Sequence, residues 1–377
     1  MLKARRIFSI VASIAVGAST LVFGATTANA ATCNEYKIVF QGAITGPYAQ
    51  TGLGEWNGVR LAVRKYNEAK PKVKIKAAYI DTQASGEQSP ALAQAMVNDP
   101  CVLGIVGGMY SGETAAALPI YLAAGMPVIS PSATRVSLPD IGGDVFHRIV
   151  ANDDVQGPGM AKLALSAKSN AKVFVVDDQT AYGLGLADII RKKLGKSKVG
   201  DDAVTEGTTN FSSVVTKVKK SKANVVVYAG YYPEAAKFIK QLRDNPATKD
   251  VAFVSGDGVL DLEFVKLAKK YAEGALMTAP SLDMATASPQ LTAEYKKAFK
   301  SAPRIYTLEA YNATYFFLQG IKAGNVSKAK LNNFINKTTV KGVGYDMKFT
   351  SRGEPSVKNM FAWTIKNGKI VGKGLIK

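Results

Sequence analysis

The feature that most constrains the fold of this chain is a regular alternation of short apolar runs with helix-like patterns. Runs such as Val102–Val106 are wholly apolar, as expected of strands buried on both faces of a parallel sheet. The segments between them repeat apolar residues with the period of an amphipathic helix. Because parallel strands need a crossover, usually a helix, the alternation predicts an α/β fold with mainly parallel sheets flanked by helices.

The alternation occurs twice, which predicts two α/β units in succession. The first is predicted to contain strands at 38–44, 73–80, 102–106, 127–129 and 146–150, with helices at 55–67, 90–98 and 114–124. The second is predicted to contain strands at 172–176, 203–206, 224–229 and 251–255, with helices at 156–166, 182–194, 211–219 and 233–243. A strand at 275–278, helices at 291–299, 311–323 and 331–335, and β segments at 345–350 and 360–365 follow. Since no long Pro- or Ser-rich linker separates the units, we expect more than one crossing between two lobes and a cleft between them.

The N-terminus has the pattern of a secretory signal. A basic start precedes an apolar run at 7–23, and Ala-Asn-Ala ending at Ala30 supplies the small residues of a cleavage site. We therefore predict that residues 1–30 are removed and that the mature chain is exported to a periplasm or the cell-envelope exterior. An uncleaved anchor is the alternative, although the Ser and Thr residues within the run disfavour it.

The chain has two cysteines, and export would permit them to form a disulfide. Cys33 shortly precedes the first predicted strand, and Cys101 immediately precedes the third. In a doubly wound sheet these two strands are parallel neighbours, which places both cysteines at the same edge. We predict a structural Cys33–Cys101 bridge, with two free buried thiols as the alternative.

The net charge of the chain is +19, and it falls to +16 when Lys3, Arg5 and Arg6 are removed with the signal. A value this high raises the possibility of nucleic-acid binding. Many of the lysines recur along three helical segments, at 217–222, 266–270 and 296–300. They are not regularly interleaved with aromatic residues and no recognisable binding module accompanies them, so we predict a solvated basic surface and no nucleic-acid partner.

Two predicted strand ends carry the strongest signal of a binding site. The segments 107–114 and 130–134 each follow an apolar run and offer small residues, hydroxyls and free backbone amides, and the first opens a predicted helix. A strand end that leads into a helix N-terminus favours anions, because unpaired amides and the helix dipole both attract negative charge. The predicted guest is a small carboxylate. Ordinary turn chemistry is the alternative explanation of each segment taken alone.

Other predicted strand ends supply the complementary charge. Ser111, Ser132 and Thr134 suit a carboxylate, whereas Asp257, flanked by glycines, can pair with an ammonium group. Tyr231 offers an aromatic face to the same cation, although a tyrosine at a strand end is often only packed there. Together these residues predict a site for the zwitterion of an α-amino acid.

An enzymatic function is not predicted. The single histidine, His147, falls in a predicted buried strand, which favours a structural role. The sequence has no Cys/His metal spacing, no Gly-rich phosphate loop and no nucleophile-elbow motif. We therefore expect neither a cofactor nor a metal.

Several motifs resemble those of the branched-chain amino-acid-binding proteins, the type I periplasmic binding proteins of ABC importers. Besides the Ser111 segment they are GAITGPYAQ at 42–50, NG at 57–58, ISPSAT at 129–134, QGP at 156–158, YGLGLA at 182–187 and YAGYYPE at 228–234. The resemblance covers essentially the whole mature chain, and the last two motifs are specific. It implies a two-lobed fold with a ligand cleft between the lobes.

The resemblance also implies roles for individual residues. The carboxylate contacts fall on the backbone and hydroxyl of Ser111, the backbone of Ser132 and the hydroxyl of Thr134. The ammonium contacts fall on Asp257 and Tyr231, Tyr182 closes over the ligand, and Thr51, Met109, Tyr110 and Tyr306 form the walls around its side chain. Asp257 is shorter than the family's glutamate, Thr51 replaces a large aromatic residue, and Tyr110 is bulkier than usual. These departures bear on side-chain specificity.

The implied lobes are residues 31–151 with 280–343, and residues 152–279 with 344–377, with crossings near Ala151, Ala279 and Gly344. The implied function is capture of a small amino acid, branched-chain or otherwise apolar, for delivery by a monomeric protein to the permease subunits of an ABC importer. A short amide, urea or an aromatic acid is the alternative cargo, and a ligand sensor is the alternative role.

Overall fold

The computed structural model describes Cys33 and residues 35–376, and the predicted signal at 1–30 lies outside this part of the chain. The first sheet consists of β1 (Tyr36–Gly42), β2 (Ile75–Asp81), β3 (Val102–Val106), β4 (Val128–Ser130) and β5 (Phe146–Arg148). Its strands are all parallel, in the order β2-β1-β3-β4-β5.

The second sheet contains five parallel strands and an antiparallel hairpin. The parallel strands are β6 (Val173–Asp177), β7 (Lys198–Ala203), β8 (Val225–Ala229), β9 (Ala252–Ser255) and β10 (Leu276–Ala279). After a separate two-stranded pair, β11 (Val340–Lys341) and β12 (Asp346–Met347), the hairpin of β13 (Phe361–Lys366) and β14 (Lys369–Leu375) completes the sheet. The order is β14-β13-β10-β9-β8-β6-β7.

Thirteen α-helices connect these strands in the described residues. They are α1 (Ala49–Glu68), α2 (Ser89–Asn98), α3 (Ser111–Ala123), α4 (Leu138–Gly142), α5 (Asp153–Ser166), α6 (Ala181–Leu194), α7 (Ser212–Ser221), α8 (Tyr232–Asp244), α9 (Leu262–Ala268), α10 (Met284–Ala287), α11 (Pro289–Phe299), α12 (Thr307–Lys322) and α13 (Lys328–Lys337). None of these helices has both the length and the apolar character that a bilayer span requires. The predicted fold, two mainly parallel sheets flanked by helices, is confirmed.

Burial explains which strands the sequence pattern identified well. β3, β6 and β8 lie inside their sheets with every residue buried, so they are continuous apolar runs. Two predictions were wrong because they fell on exposed chain. In place of the strand predicted at 203–206 the structure has β7, an edge strand whose residues alternate between half-buried and exposed and which ends at Ala203, and the segment 345–350 contains the two-residue β12 and an isolated bridge at Phe349.

Three helices that lie between β10 and β11 in sequence, α11, α12 and α13, pack back on the elements of the first sheet. α12 lies along α1, and both α12 and α13 contact β3. The close approach of α1 to α12 depends on Gly58, because a Cβ atom there would lie 2.4 Å from the carbonyl oxygen of Thr307. We call the first sheet with α1–α4 and α11–α13 the first unit, and the second sheet with α5–α9 the second unit.

A buried ion pair fixes the chain beside β5. The guanidinium of Arg148, which is fully buried, donates from Nε and Nη2 to Glu354 at 3.0 and 2.7 Å. Its Nη1 donates to the carbonyl oxygens of Ala133 and Arg135 at 3.0 and 2.8 Å. Arg148 therefore holds both the segment around Glu354 and the loop that carries Thr134.

The predicted disulfide is confirmed. β1 and β3 are parallel neighbours, and the Lys37 amide donates to the Cys101 carbonyl at 2.8 Å. Cys33 and Cys101 are bonded with their Cα atoms 5.5 Å apart, a usual separation for a disulfide. The bond links residues 68 positions apart in sequence.

Removing this disulfide should destabilise the protein, because the cross-link restricts the unfolded chain. We expect a Cys33→Ser/Cys101→Ser variant to lose about 2–4 kcal/mol of unfolding free energy in urea titrations. The unreduced, denatured wild type should contain no reactive thiol. Two thiols per chain would contradict the assignment.

Breaking the ion pair from one side should cost more than a surface change. Arg148→Met leaves the Glu354 carboxylate buried without its cation, so we expect a loss of about 3–5 kcal/mol. Arg352→Met is the matched control, because Arg352 and its partner Asp140 are both largely exposed; its loss should stay below about 1 kcal/mol. Equal losses in the two variants, measured by urea unfolding, would show that the buried pair does not have this role.

Candidate functional site

The carboxyl ends of strands from both sheets border one cavity. It is small: the volume open to the centre of a water molecule is about 30 Å³. All ten residues that the sequence analysis assigned to a site line it: Thr51, Met109, Tyr110, Ser111, Ser132, Thr134, Tyr182, Tyr231, Asp257 and Tyr306. The structure thus brings the whole predicted set together.

On the first unit, two segments are joined into one surface by their own hydrogen bonds. The Ser132 hydroxyl donates to the Met109 carbonyl at 2.8 Å, and the Arg135 amide donates to Ser111 Oγ at 3.3 Å. Arg148 also donates to the carbonyl oxygens on both sides of Thr134, and these bonds hold the loop in place. The cavity wall here is a rigid arrangement of hydroxyl groups.

The N-terminus of α3 opens into the same wall. Ser111 is the first residue of this helix, and the amides of a first helical turn have no partner within the helix. The buried Glu113 accepts hydrogen bonds from the amides of Met109 and Tyr110 at 2.7 and 3.0 Å. Burial raises the pKa of Glu113 to about 7, against hydrogen bonds that lower it. The helix start is therefore held in place and suits an anion.

On the second unit, Asp257 is the centre of a hydrogen-bond network. Its Oδ1 accepts from the Tyr182 hydroxyl at 2.8 Å and from the Gln156 amide, and its Oδ2 accepts from the Tyr306 hydroxyl at 2.5 Å. Burial raises the pKa of Asp257, and the three side-chain donors work in the opposite direction. A carboxylate oxygen accepts about two hydrogen bonds, so Oδ2 retains capacity for one more donor.

Aromatic rings close the cavity from both units. Tyr231 stacks on Tyr182 with ring centroids 5.2 Å apart and meets Tyr110 edge-on at 4.8 Å. Gly258 allows this packing, because a Cβ there would lie 2.9 Å from the ring of Tyr231 and 3.0 Å from that of Tyr182. Burial raises the pKa values of Tyr182, Tyr231 and Tyr306, so their hydroxyls remain protonated donors at neutral pH.

Direct bonds join the two units beside the cavity. Tyr48 donates to Glu206 at 2.6 Å, and Tyr232 donates to the Pro47 carbonyl. Within the lining itself, the Thr51 hydroxyl donates to Asp261 Oδ2 at 2.8 Å. The two units are therefore in direct contact around the start of α1.

The sequence analysis missed four residues that also line the cavity: Glu55, Gly258, Asp261 and Ile305. Gly258 and Asp261 adjoin or closely follow Asp257, and Glu55 lies four residues after Thr51 on α1, so helical periodicity was the available signal. It also missed Asp178, which accepts from the Tyr231 amide at 3.1 Å and the Thr180 amide at 3.0 Å. Asp178 thereby positions two of the tyrosine-bearing segments.

In the part of the chain that the structure describes, the Asp and Glu side chains of the lining are not balanced by basic ones. Among the described residues, those that line the cavity include three carboxylates, Glu55, Asp257 and Asp261, and no Lys or Arg. Within the same part of the chain, no group of three or more His, Cys, Asp and Glu side chains is arranged to hold a metal ion. His147 is buried on β5 with its Nε2 3.0 Å from Asn336 Oδ1, and it is not part of the lining.

Comparison with known proteins relates the whole described chain to one family. A model of the periplasmic binding protein family matches residues 35–369. The Leu/Ile/Val/Thr-binding protein of Salmonella typhimurium is 29% identical over 333 residues, covering 85% of this chain and 88% of the relative. The Leu/Ile/Val-binding protein of Escherichia coli K12 is 29% identical over 338 residues, covering 86% and 89%.

A solved structure supports the same relationship. The branched-chain amino acid transporter substrate binding protein LivJ of Streptococcus pneumoniae, solved with isoleucine, superposes with a TM-score of 0.83. It is 26% identical in sequence, and the match covers 91% of this chain and 99% of that one. The family match and the shared two-sheet architecture confirm the resemblance found in the sequence motifs, and this chain belongs to the periplasmic binding protein family.

Proposed function

We propose that this protein captures a small α-amino acid in the cavity between its two units and delivers it to an ABC importer. The observation that carries the proposal is the pairing of opposite chemistries in one cavity. The first unit offers a helix N-terminus and hydroxyls that suit a carboxylate, and the second offers a carboxylate that suits an ammonium group.

The carboxylate of the ligand would lie against the first unit. Ser111 and Thr134 supply hydroxyls, and the backbone amides at Ser111 and Ser132 supply further donors. The Ser132 hydroxyl donates to the Met109 carbonyl at 2.8 Å, whereas the Ser132 amide makes only a long bond of 3.4 Å to Ser130 Oγ, which supports the assignment of its backbone and not its side chain. The positive end of the α3 dipole adds to the attraction.

The ammonium group would lie against Asp257. Oδ2 has capacity for another donor beside the Tyr306 hydroxyl, and the face of Tyr231 is close by. Because Tyr182 and Gln156 already hold Oδ1, the carboxylate needs little reorganisation to receive the ligand.

We propose that binding closes two lobes about a hinge. The first lobe would comprise residues 31–151 and 280–355, and the second residues 152–279 and the C-terminal β-hairpin. The first two crossings would lie near Ala151 and Ala279. We propose the third after Pro355 instead of near Gly344, because Glu354 pairs with Arg148 and Phe349 packs on Phe316 of the first unit.

Closure would be driven by the difference in ligand contacts between the open and closed forms. The first lobe would hold the carboxylate in both, whereas Asp257 would reach the ammonium only when the cavity is shut. The bonds from Tyr48 to Glu206 and from Tyr232 to Pro47 would form in the closed state alone.

The remaining parts of the proposal are export, partners and assembly. We propose that the signal at 1–30 directs export to a periplasm or the cell-envelope exterior, and that the protein acts there as a monomer. Its macromolecular partners would be the permease subunits of the importer. The names of the relatives, which include Leu/Ile/Val-binding proteins, favour a branched-chain or similarly small amino acid.

The chemistry of the cavity also favours an amino acid over the alternative ligands, an aromatic acid, an amide or urea. An aromatic acid has no ammonium group, so it would leave the buried Asp257 facing a ligand without a donor, at a considerable free-energy cost. An amide or urea has donors for Asp257 but no carboxylate for the α3 N-terminus. A zwitterion satisfies both ends.

Removing the Asp257 carboxylate should abolish the ammonium site. We expect Asp257→Ala to weaken binding of the best amino acid by about 2–5 kcal/mol, because a desolvated ammonium loses its counter-ion. Isothermal calorimetry of ligand-stripped protein with leucine, isoleucine, valine, threonine and alanine measures this effect. A deaminated analogue of the best ligand is the control, and tighter binding of that analogue to the wild type would reject the zwitterion.

Removing a closure contact should weaken binding without changing the ligand preference. Tyr48→Phe deletes the hydroxyl that bonds Glu206, so we expect affinity to fall by about 1 kcal/mol for every ligand. Tyr271→Phe is the matched control, because its hydroxyl bonds the exposed Asp244 outside the cavity. If Tyr48→Phe binds its ligands with unchanged affinity, the bond from Tyr48 to Glu206 does not contribute to closure.

A further inference from the structure

One carboxylate in the cavity has no partner. Glu55 is fully buried, it lines the cavity, and neither of its oxygens accepts a hydrogen bond from the described part of the chain. The Ser132 hydroxyl lies close enough to lower the pKa of Glu55 in part, but its proton is directed at the Met109 carbonyl. Burial raises that pKa well above its usual range, and the charges of Glu113 and Glu309 add to the effect.

The other carboxylates that line the cavity do not share this condition, and Asp153, which also has no partner at either oxygen in the described chain, is not among the lining residues. Asp257 accepts from three side chains and Asp261 accepts from Thr51 and Arg304; outside the lining, Glu113 accepts from two backbone amides. A buried polar group without a partner costs about 1–3 kcal/mol, and more when it is charged. Glu55 is therefore the lining residue whose need for a donor the protein itself leaves unmet.

The position of Glu55 indicates which part of a ligand would supply that donor. Glu55 follows Thr51 by four residues on α1, so both side chains share one face of the helix, and both line the cavity. The ligand carboxylate is accounted for by the α3 N-terminus and the ammonium group by Asp257. The ligand's side chain is therefore the group left to contact Glu55. Met109 and Ile305 supply apolar surface in the same lining.

We propose that Glu55 accepts a hydrogen bond from a hydroxyl on the ligand side chain, so that the site prefers a short hydroxy amino acid of the threonine type to its apolar isostere valine. This inference rests on the proposed amino-acid function and narrows its ligand class. A hydroxyl is the smallest side-chain group that can donate a hydrogen bond to Glu55. A short side chain also suits a cavity whose empty space is this small.

Threonine and valine provide the test, because they differ by one hydroxyl in place of one methyl group. We expect calorimetry of the ligand-stripped wild type to give threonine an affinity at least about ten-fold higher than that of valine. Glu55→Leu should remove the preference or reverse it. Glu55→Gln, which retains an acceptor oxygen, should keep threonine ahead.

The matched control is Glu68→Leu. Glu68 is a glutamate of the same helix, but it is largely exposed beside Arg64 and is not among the residues that line the cavity. Its threonine-to-valine ratio should equal that of the wild type. Thermal unfolding of each variant establishes that it folds. If Glu55→Leu does not fold, the threonine-to-valine affinity ratios of the wild type and of Glu55→Gln still test the proposal.

The outcomes separate this inference from the proposed function. If the wild type binds valine as tightly as threonine, or binds lysine more tightly than either, the role of Glu55 is overturned while the amino-acid site stands. An unchanged ratio in Glu55→Leu has the same consequence. If no amino acid binds the wild type and a deaminated acid does, the proposed function fails first.

Discussion

The site depends on keeping one carboxylate, Asp257, in a place from which water is excluded. A buried carboxylate is costly unless donors surround it, and the donors to Asp257 come from three separate elements: Gln156 on α5, Tyr182 on α6 and Tyr306 before α12. The last of these belongs to the opposite unit. The need to satisfy Asp257 thus links the second sheet to a helix packed on the first, and it places a negative charge at the centre of the closed cavity.

A second buried network supports the opposite wall. Arg148 donates four hydrogen bonds, two to Glu354 and two to the carbonyls beside Thr134, so the loop that would bind a carboxylate is held by the same residue that secures the chain after β12. Asn152, at the start of α5, also donates to Glu354 at 3.0 Å. The proposed hinge, the proposed anion site and the last crossing therefore share one ion pair. This arrangement suits a protein whose lobes move as bodies while each wall of the site stays rigid.

Much of the fold followed from local patterns. Buried strands such as β3 and β8 are continuous apolar runs, and the disulfide followed from the rule that places the first and third strands side by side. Much of the cavity lining was predicted from the rule that ligands in parallel sheets lie beyond the carboxyl ends of the strands, whereas Met109 and Tyr306 came from the family resemblance alone. Prediction failed on exposed chain, where β7 and β14 carry polar residues at sheet edges and no core forces a pattern on them.

The sequence by itself determined the two α/β units, the edge at which a site would form and the kinds of group it would contain, because these depend on periodicity and on residues within a few positions of each other. Only the tertiary structure decided which side chains satisfy one another. Thr51 and Asp261 are 210 residues apart, and Arg148 and Glu354 are 206 apart. Glu55 appeared in sequence as an ordinary helical glutamate, and only the packing of α1 against the cavity revealed a carboxylate without a donor. Long-range pairing of this kind depends on how the helices and sheets pack, which no local pattern records.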